Sequence, residues 1–130
     1  MKKTFNSILV ALMLVAGWGC AHNSVLPIHD EVLVYPLPLD LTFLRTLEAV
    51  QKHPDWELDR TDKEKGTITI RNMRFSSFAD ADRRVATLRI KRENERETSV
   101  QFDPKSQAIV GGDEILALVR EYLSREVSSR

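Results

Sequence analysis

Few residues in this sequence are of the types that carry out nucleophilic or acid–base catalysis. The chain contains one cysteine, Cys20, and three histidines, His22, His29 and His53. Nucleophilic catalysis requires an activated serine or cysteine beside a base and an orienting acid. Cys20, His22 and His29 lie in an N-terminal stretch where nothing is expected to hold them, and His53 lies at a predicted helix end. We therefore expect no enzymatic activity and no catalytic residue.

The sequence also lacks the spacing of a metal or cofactor site. Three widely separated histidines and one cysteine form no zinc motif, and there is no glycine-rich phosphate loop. The acidic pair Asp113 and Glu114 opens a predicted helix, where the helix dipole stabilises negative charge. The acidic residues of the segment Asp80–Arg84 lie beside two arginines, and a local ion network explains them better than a calcium loop. We expect no metal ion and no cofactor.

The segment Arg71–Arg84 combines arginines with apolar residues of unexpected parity. Ile70 points inward in a predicted strand, whereas Met73 and Phe75 have the opposite parity. Either a β-bulge shifts the register near residues 71–72, or the strand ends and these side chains belong to a loop. Arginine and aromatic side chains anchor protein interfaces. The candidate partner-binding residues are Arg71, Arg74, Phe75, Phe78, Arg83 and Arg84. The alternative is a small apolar cluster packed beneath the loop.

Residues 1–19 have the parts of a secretory signal. Lys2 and Lys3 supply the positive start, Ile8–Ala16 is a nine-residue apolar run, and two glycines follow it. A transmembrane helix needs about 20 apolar residues. Even the stretch from Ile8 to Ala21 has only fourteen. We therefore predict a removable signal rather than a membrane span.

The position of Cys20 directly after this run resembles the signal of bacterial lipoproteins. Gly19 is the small residue that such signals place before the cleaved bond. The resemblance implies that Cys20 becomes the lipid-attached first residue, and more than one acyl chain gives stable anchoring. Ala21, rather than aspartate, implies the outer membrane of a Gram-negative cell, with the protein facing the periplasm. An ordinary signal peptide with an incidental cysteine is the alternative.

The composition is that of one globular domain. The 130 residues are 42% hydrophobic and 29% charged, with 19 basic and 19 acidic side chains. Removal of residues 1–19 takes away two lysines and leaves 17 basic against 19 acidic side chains, a net charge of −2. Such a chain has no overall attraction to nucleic acid. We assign residues 20–30 to a tether and 31–127 to a single domain.

The first half of the domain predicts a strand followed by a helix. Residues 32–35 are strand formers, and the prolines that follow place them at a sheet edge or strand end. Asp40 can cap a helix over Leu41–Lys52, which His53-Pro54 ends. The apolar face of this helix is expected to contain Phe43, Leu44, Leu47 and Val50.

The second half predicts two hairpins and a second helix. The charged turn 62–66, which ends in Gly66, separates the alternating segments 56–59 and 67–70. The polar link 93–96 separates two further alternating segments, 86–90 and 98–102. Gly111-Gly112-Asp113 then opens a helix. The apolar stripe of that helix is expected to contain Ile115, Leu118, Val119 and Tyr122.

This order, β-α-β-β-β-β-α, predicts an α+β fold. Four or five antiparallel strands with one apolar face need a cover, and two amphipathic helices provide it, which gives a two-layer sandwich. The layout resembles small bacterial lipoproteins with one helix-grip domain, and the run Trp56–Ile70 is similar to their acidic strand, glycine turn and Thr-Ile-Thr strand. It is also similar in layout to the accessory lipoprotein of the outer-membrane β-barrel assembly machinery. The resemblance implies a periplasmic module that binds protein or envelope components.

Three functions from different classes follow. The favoured one is a lipid-anchored, non-catalytic protein-interaction module of the cell envelope with an envelope protein as partner. The alternative is a carrier of a small ligand or lipid, which would use the space between helices and sheet. An enzyme is third, because the catalytic inventory is poor.

Overall fold

The computed structural model describes residues 26–74 and 83–130. The predicted two-layer α+β sandwich is confirmed: within these two ranges, five antiparallel strands form one sheet in the order β1-β5-β4-β3-β2, with two helices. The elements are β1 (Leu33–Tyr35), α1 (Leu39–Lys52), β2 (Trp56–Asp62), β3 (Thr67–Asn72), β4 (Val85–Arg92), β5 (Thr98–Phe102), a 3-10 turn (Pro104–Ser106) and α2 (Gly112–Ser128).

The first two strands of the sequence lie at opposite edges of the sheet. Strands β2 to β5 form a meander, each paired with the next, and β1 adds to the free side of β5. All pairings are antiparallel, so β1 and β2 run in the same direction. Parallel strands need a long crossover connection, and α1 provides it across the sheet.

One face of the sheet and both helices share a single hydrophobic core. Because side chains alternate along a strand, every second residue of β3, β4 and β5 points to this face. The strand residues are Ile68, Ile70, Ala86, Leu88, Ile90, Val100 and Phe102. The helices add fully buried residues, including Val50 from α1 and Ile115, Val119 and Leu123 from α2. Burial of each large aliphatic side chain contributes about 1.5–3 kcal/mol.

The other face of the sheet is solvated. Glu57, Asp59, Arg89 and Lys91 are exposed there. Thr69 and Thr87 lie opposite each other on β3 and β4, and their hydroxyl oxygens are 3.1 Å apart. Such cross-strand pairs stabilise a sheet face that lacks an apolar cover.

Helix α1 differs from its prediction in two respects. It begins at Leu39, and Pro38 rather than Asp40 is the N-cap, because proline has the extended geometry (φ −62°, ψ 149°) that starts a helix. The buried face is rotated, so that Leu44 is 47% exposed while Thr46 is buried. The Thr46 hydroxyl donates to the carbonyl of Thr42, which satisfies its polar group inside the core. In α2, Leu118 is half-buried at the edge of the core.

The register of β3 continues without a bulge to its end. Asn72 pairs with Trp56, and Arg71 with Glu57. The irregularity lies on the partner strand instead, between Leu58 and Arg60, so the bulge considered near residues 71–72 is wrong. The strand ends at Asn72, and Met73 belongs to the following loop.

Candidate functional site

The site is built at one end of the sandwich, where α1 ends, β3 ends and α2 begins. We call this the loop end and define it by His53, Asp55, Met73–Arg74, the segment 107–111 and Glu114. The turns β2–β3 and β4–β5 lie at the opposite end, which we call the hairpin end. The contacts below show which of the predicted residues this geometry brings together.

Asn72 is the anchor of the loop end. It is 3% exposed, and its parity places it on the helix-covered face of the sheet, next after Ile68 and Ile70. Its side-chain amide donates to the carbonyl of Val110 (3.1 Å), and its side-chain oxygen accepts from the backbone N–H of Arg74 (2.9 Å). Its backbone N–H donates to the carbonyl of Arg84 (2.8 Å). The asparagine therefore joins three separate segments.

Arg74 is held by two carboxylates. Its guanidinium donates to Asp55 and reaches Glu114 at 3.5 Å. The pKa of Arg74 is raised above its ordinary value, first because of the hydrogen bond to Asp55 and then because both carboxylates attract the cation. The preceding residue, Met73, is tied by its backbone N–H to the carbonyl of Asp55 (2.7 Å), yet its side chain is 54% exposed.

His53 extends this network. Its Nδ1 accepts a hydrogen bond from the backbone N–H of Asp55 (3.2 Å), so the proton of the neutral ring lies on Nε2. Nε2 is 3.4 Å from a carboxylate oxygen of Glu114, to which it can donate. The side chain is only 15% exposed. His53 lies at the end of α1, as predicted, but the first turn of α2 packs against it, so the ring is not a solvated helix-end side chain.

A tryptophan and a glycine complete the loop end. Trp56 is 5% exposed, and its indole Nε1 has no hydrogen-bond partner within residues 26–74 and 83–130. Gly111 has φ +77°, and a side chain there would lie 3.2 Å from the Asn72 amide nitrogen and 3.5 Å from the indole ring. Glycine thus allows the chain to pass closely over both residues before α2 starts.

His29 marks where the chain joins the domain. Its backbone N–H donates to Gln107 (2.9 Å), and its ring nitrogen Nε2 lies 3.1 Å from the carbonyl of Ile109. Its ring also packs against Phe102, with centroids 6.2 Å apart. The expectation that nothing holds His29 is therefore wrong. The neighbouring Ile28 pairs with Ala108 and is 65% exposed.

Among the predicted partner-binding residues that the structure describes, Arg71 and Arg74 lie on different surfaces. Arg71 lies on the solvated face of the sheet, where it pairs with Asp59 at 3.1 Å, whereas Arg74 lies at the loop end. Arg83 is exposed and Arg84 is half-buried. Phe75 and Phe78, and the proposed lipid-attachment residue Cys20, lie outside the described residues.

The loop-end network is a set of paired charges. The guanidinium of Arg74 pairs with two carboxylates, and the His53 ring lies within hydrogen-bond distance of one of them, so the side chains of this network hold one another in place. Within the two described ranges, no group of three or more histidine, cysteine, aspartate or glutamate side chains is placed to hold a metal ion. No helix in the same ranges is long and apolar enough to cross a bilayer.

No protein-family model matches the chain, and no curated protein matches it significantly.

Proposed function

We propose that this chain is a lipid-anchored periplasmic protein of the outer membrane that binds an envelope protein at its loop end and carries out no catalysis. The observation that carries the proposal is the pair of exposed apolar side chains Ile28 and Met73, which flank the segment 107–111. Ile28 bridges to Ala108 and Met73 follows Asn72, whose amide holds Val110.

The composition of this surface fits a protein partner. Methionine, arginine and aromatic residues are enriched in protein interfaces. Met73 is exposed while its backbone is tied down, and Arg74 beside it is fixed by two carboxylates. A side chain that is already ordered loses little conformational entropy on binding, which favours association.

The point where the N-terminal segment joins the domain also supports the loop end as the contact surface. Only residues 21–25 separate Cys20 from the first described residue, and an extended segment of that length spans about 20 Å. Because His29 is fixed at the loop end, a lipid on Cys20 would hold this end near the membrane and its proteins. Anchoring at Cys20 therefore presents Ile28 and Met73 to partners in or on the outer membrane.

The packing of the core argues against the carrier alternative. A carrier would need space between helices and sheet, where Ile70, Leu88, Val119 and Leu123 are all fully buried against one another. Three surface clefts of about 280–410 Å3 are lined by charged and edge residues. A carrier that encloses an apolar ligand or lipid would instead need an enclosed and largely apolar cavity, unlike a surface cleft that holds a charged group.

The anchor is tested by replacing Cys20 with serine. The variant is expected to leave the membrane fraction or to accumulate as uncleaved precursor, and to lose incorporation of a radioactive fatty acid. A wild-type protein that is soluble in the periplasm and takes up no label would show that the anchor is wrong.

The contact surface is tested by a photo-crosslinking amino acid placed at position 73. We expect one discrete crosslinked envelope protein, which is lost when Ile28 is changed to serine. Leu44 is the matched control, because it is similarly exposed (47%) but lies on α1 away from the loop end. Equal crosslinking from positions 73 and 44 would contradict the proposed surface.

A further inference from the structure

A basic cleft lies at the hairpin end of the sandwich, away from the loop end. It has a volume of about 370 Å3 and is lined by the segment 36–38, the β4–β5 turn and the end of α2. Its charged side chains are three arginines, Arg92, Arg96 and Arg130, and one carboxylate, Glu95. Arg130 lies 3.8 Å from the carboxylate of Glu126. The remaining lining charges, Arg92 and Arg96 against Glu95, leave the cleft positive, although residues 20–130 contain 17 basic and 19 acidic side chains.

Arg92 occupies a position where the strand pattern would place an apolar residue. Ala86, Leu88 and Ile90 are buried on the helix-covered face of β4, and Arg92 is the next residue of the same parity. It pairs with Thr98 of β5, whose hydroxyl donates to the carbonyl of Leu37 (2.8 Å). The strand extends past the core, so the arginine is exposed and lines the cleft together with the segment 36–38.

The acidic residues of the turn do not neutralise this arginine pair. Glu93 accepts from Ser99 (2.6 Å) and lies 3.4 Å from Lys91, and Glu97 accepts from Asn94 (2.6 Å). Within the two described ranges, neither Arg92 nor Arg96 has a carboxylate partner for its guanidinium. Most other arginines of these ranges are paired with carboxylates: Arg45, Arg71, Arg74, Arg89, Arg120, Arg125 and Arg130.

We propose that this cleft binds a small ligand through an oxyanion, a phosphate or carboxylate group. Guanidinium groups present a planar set of N–H donors that match the oxygens of these anions and form charge-assisted hydrogen bonds. Arg92 and Arg96 supply the donors, and Pro36 and Pro38 give one wall an apolar surface for the rest of the ligand. The volume lies at the small end of the range for ligand pockets.

This binding site is independent of the lipid anchor and of the partner surface at the loop end. The test uses the full chain in a nonionic detergent, titrated with pyrophosphate and, separately, with glutarate, while binding is followed by calorimetry. Saturable binding of either anion by the wild type is expected. The anion that binds more tightly identifies the phosphate or carboxylate source.

The decisive comparison is between the loss of anion binding in a variant of the two cleft arginines and that in a variant of Arg60. The double variant Arg92→Ala/Arg96→Ala should weaken binding at least tenfold. Arg60→Ala, an exposed arginine of β2 away from the cleft, should change it less than twofold. A melting curve of each variant checks folding, and Arg92→Gln/Arg96→Gln replaces the alanine pair if that pair does not fold. Absence of saturable binding for both anions, or an equal loss in the Arg60→Ala variant, would overturn the proposal.

Discussion

The side-chain amide of Asn72, the last residue of β3, donates a hydrogen bond to the backbone carbonyl of Val110, just before α2 (3.1 Å). This bond joins the end of a central strand to the connection that starts the second helix. Asn72 also accepts from the backbone of Arg74, which places Arg74 between Asp55 and Glu114. One buried amide thus determines the geometry of the proposed partner surface.

Replacement of Asn72 by leucine is expected to destabilise the domain by about 1–3 kcal/mol, because the carbonyl of Val110 and the N–H of Arg74 would be left without partners. Urea melts measure the free energy of unfolding. Asn94→Leu is the control, since Asn94 makes similar hydrogen bonds on an exposed turn and should change stability by about 0.5 kcal/mol or less. Equal losses from the two variants would show that Asn72 has no anchoring role.

Gly66 and Gly111 both have positive φ, but they differ in what surrounds them. An alanine at Gly66 would place its Cβ 2.2 Å from the carbonyl oxygen of Ile90, whereas the nearest atom at Gly111 is the Asn72 amide nitrogen at 3.2 Å. The left-handed conformation alone costs about 1–2 kcal/mol for a non-glycine residue. Gly66→Ala should therefore lower the melting temperature more than Gly111→Ala, and the reverse order would contradict the turn geometry described here.

Alanine substitutions at two positions of the apolar stripe of α2, three residues apart, should differ clearly in their cost to stability. Ile115 is fully buried, so Ile115→Ala is expected to cost about 2–5 kcal/mol. Leu118 lies half-buried at the edge of the core, and Leu118→Ala should cost only about 1 kcal/mol. Chemical denaturation of both variants measures this difference, and a larger loss at Leu118 would mean that the helix is rotated.

Glu93 should titrate below the ordinary range of a glutamate. Its pKa is lowered first by the hydrogen bond from the Ser99 hydroxyl and then by the positive charge of Lys91. A folded pKa below the unfolded value contributes stability above the ordinary pKa of about 4.3. That contribution is lost as the pH falls through the lowered folded pKa.

Ser99→Ala should raise the pKa of Glu93 toward its ordinary value, as measured by NMR titration of the carboxyl carbons. Asp62 is an internal control, because its pKa is lowered mainly by the backbone N–H of Lys65, which the substitution does not touch. An unchanged Glu93 titration, or an equal shift at Asp62, would exclude the proposed cause.

The strands and helices could be predicted from local patterns because each buries one regular stripe. Alternation at Ile68, Ile70, Leu88 and Ile90 identified strands whose inward residues are all buried. Gly66, which ends the turn predicted for the first hairpin, has φ +65° there, a conformation that favours glycine. The prediction that Leu44 lies on the buried face of α1 is wrong. Thr42 and Thr46 occupy that face instead, because each hydroxyl donates to the backbone carbonyl four residues earlier, and an apolar pattern does not predict buried threonines.

The grouping of residues on the two candidate surfaces could be found only from the tertiary structure. Arg71 and Arg74 are three residues apart, yet the end of β3 separates them onto the sheet face and the loop end. His53 and Glu114 are far apart in sequence, and no local pattern predicts that the first turn of α2 lies over the end of α1. Likewise, Arg92 and Arg130 face the same cleft only because the β4–β5 turn and the C-terminal helix end meet at the hairpin end.

The sequence by itself therefore determined the layers of this protein, since hydrophobic periodicity is a local property that each strand and helix carries in its own residues. It determined neither the order of strands in the sheet nor the sites, because these depend on contacts between residues far apart in the chain. The pairing of β1 with β5, the anchoring of Val110 by Asn72 and the exposure of Met73 were decided by the packing of the whole domain.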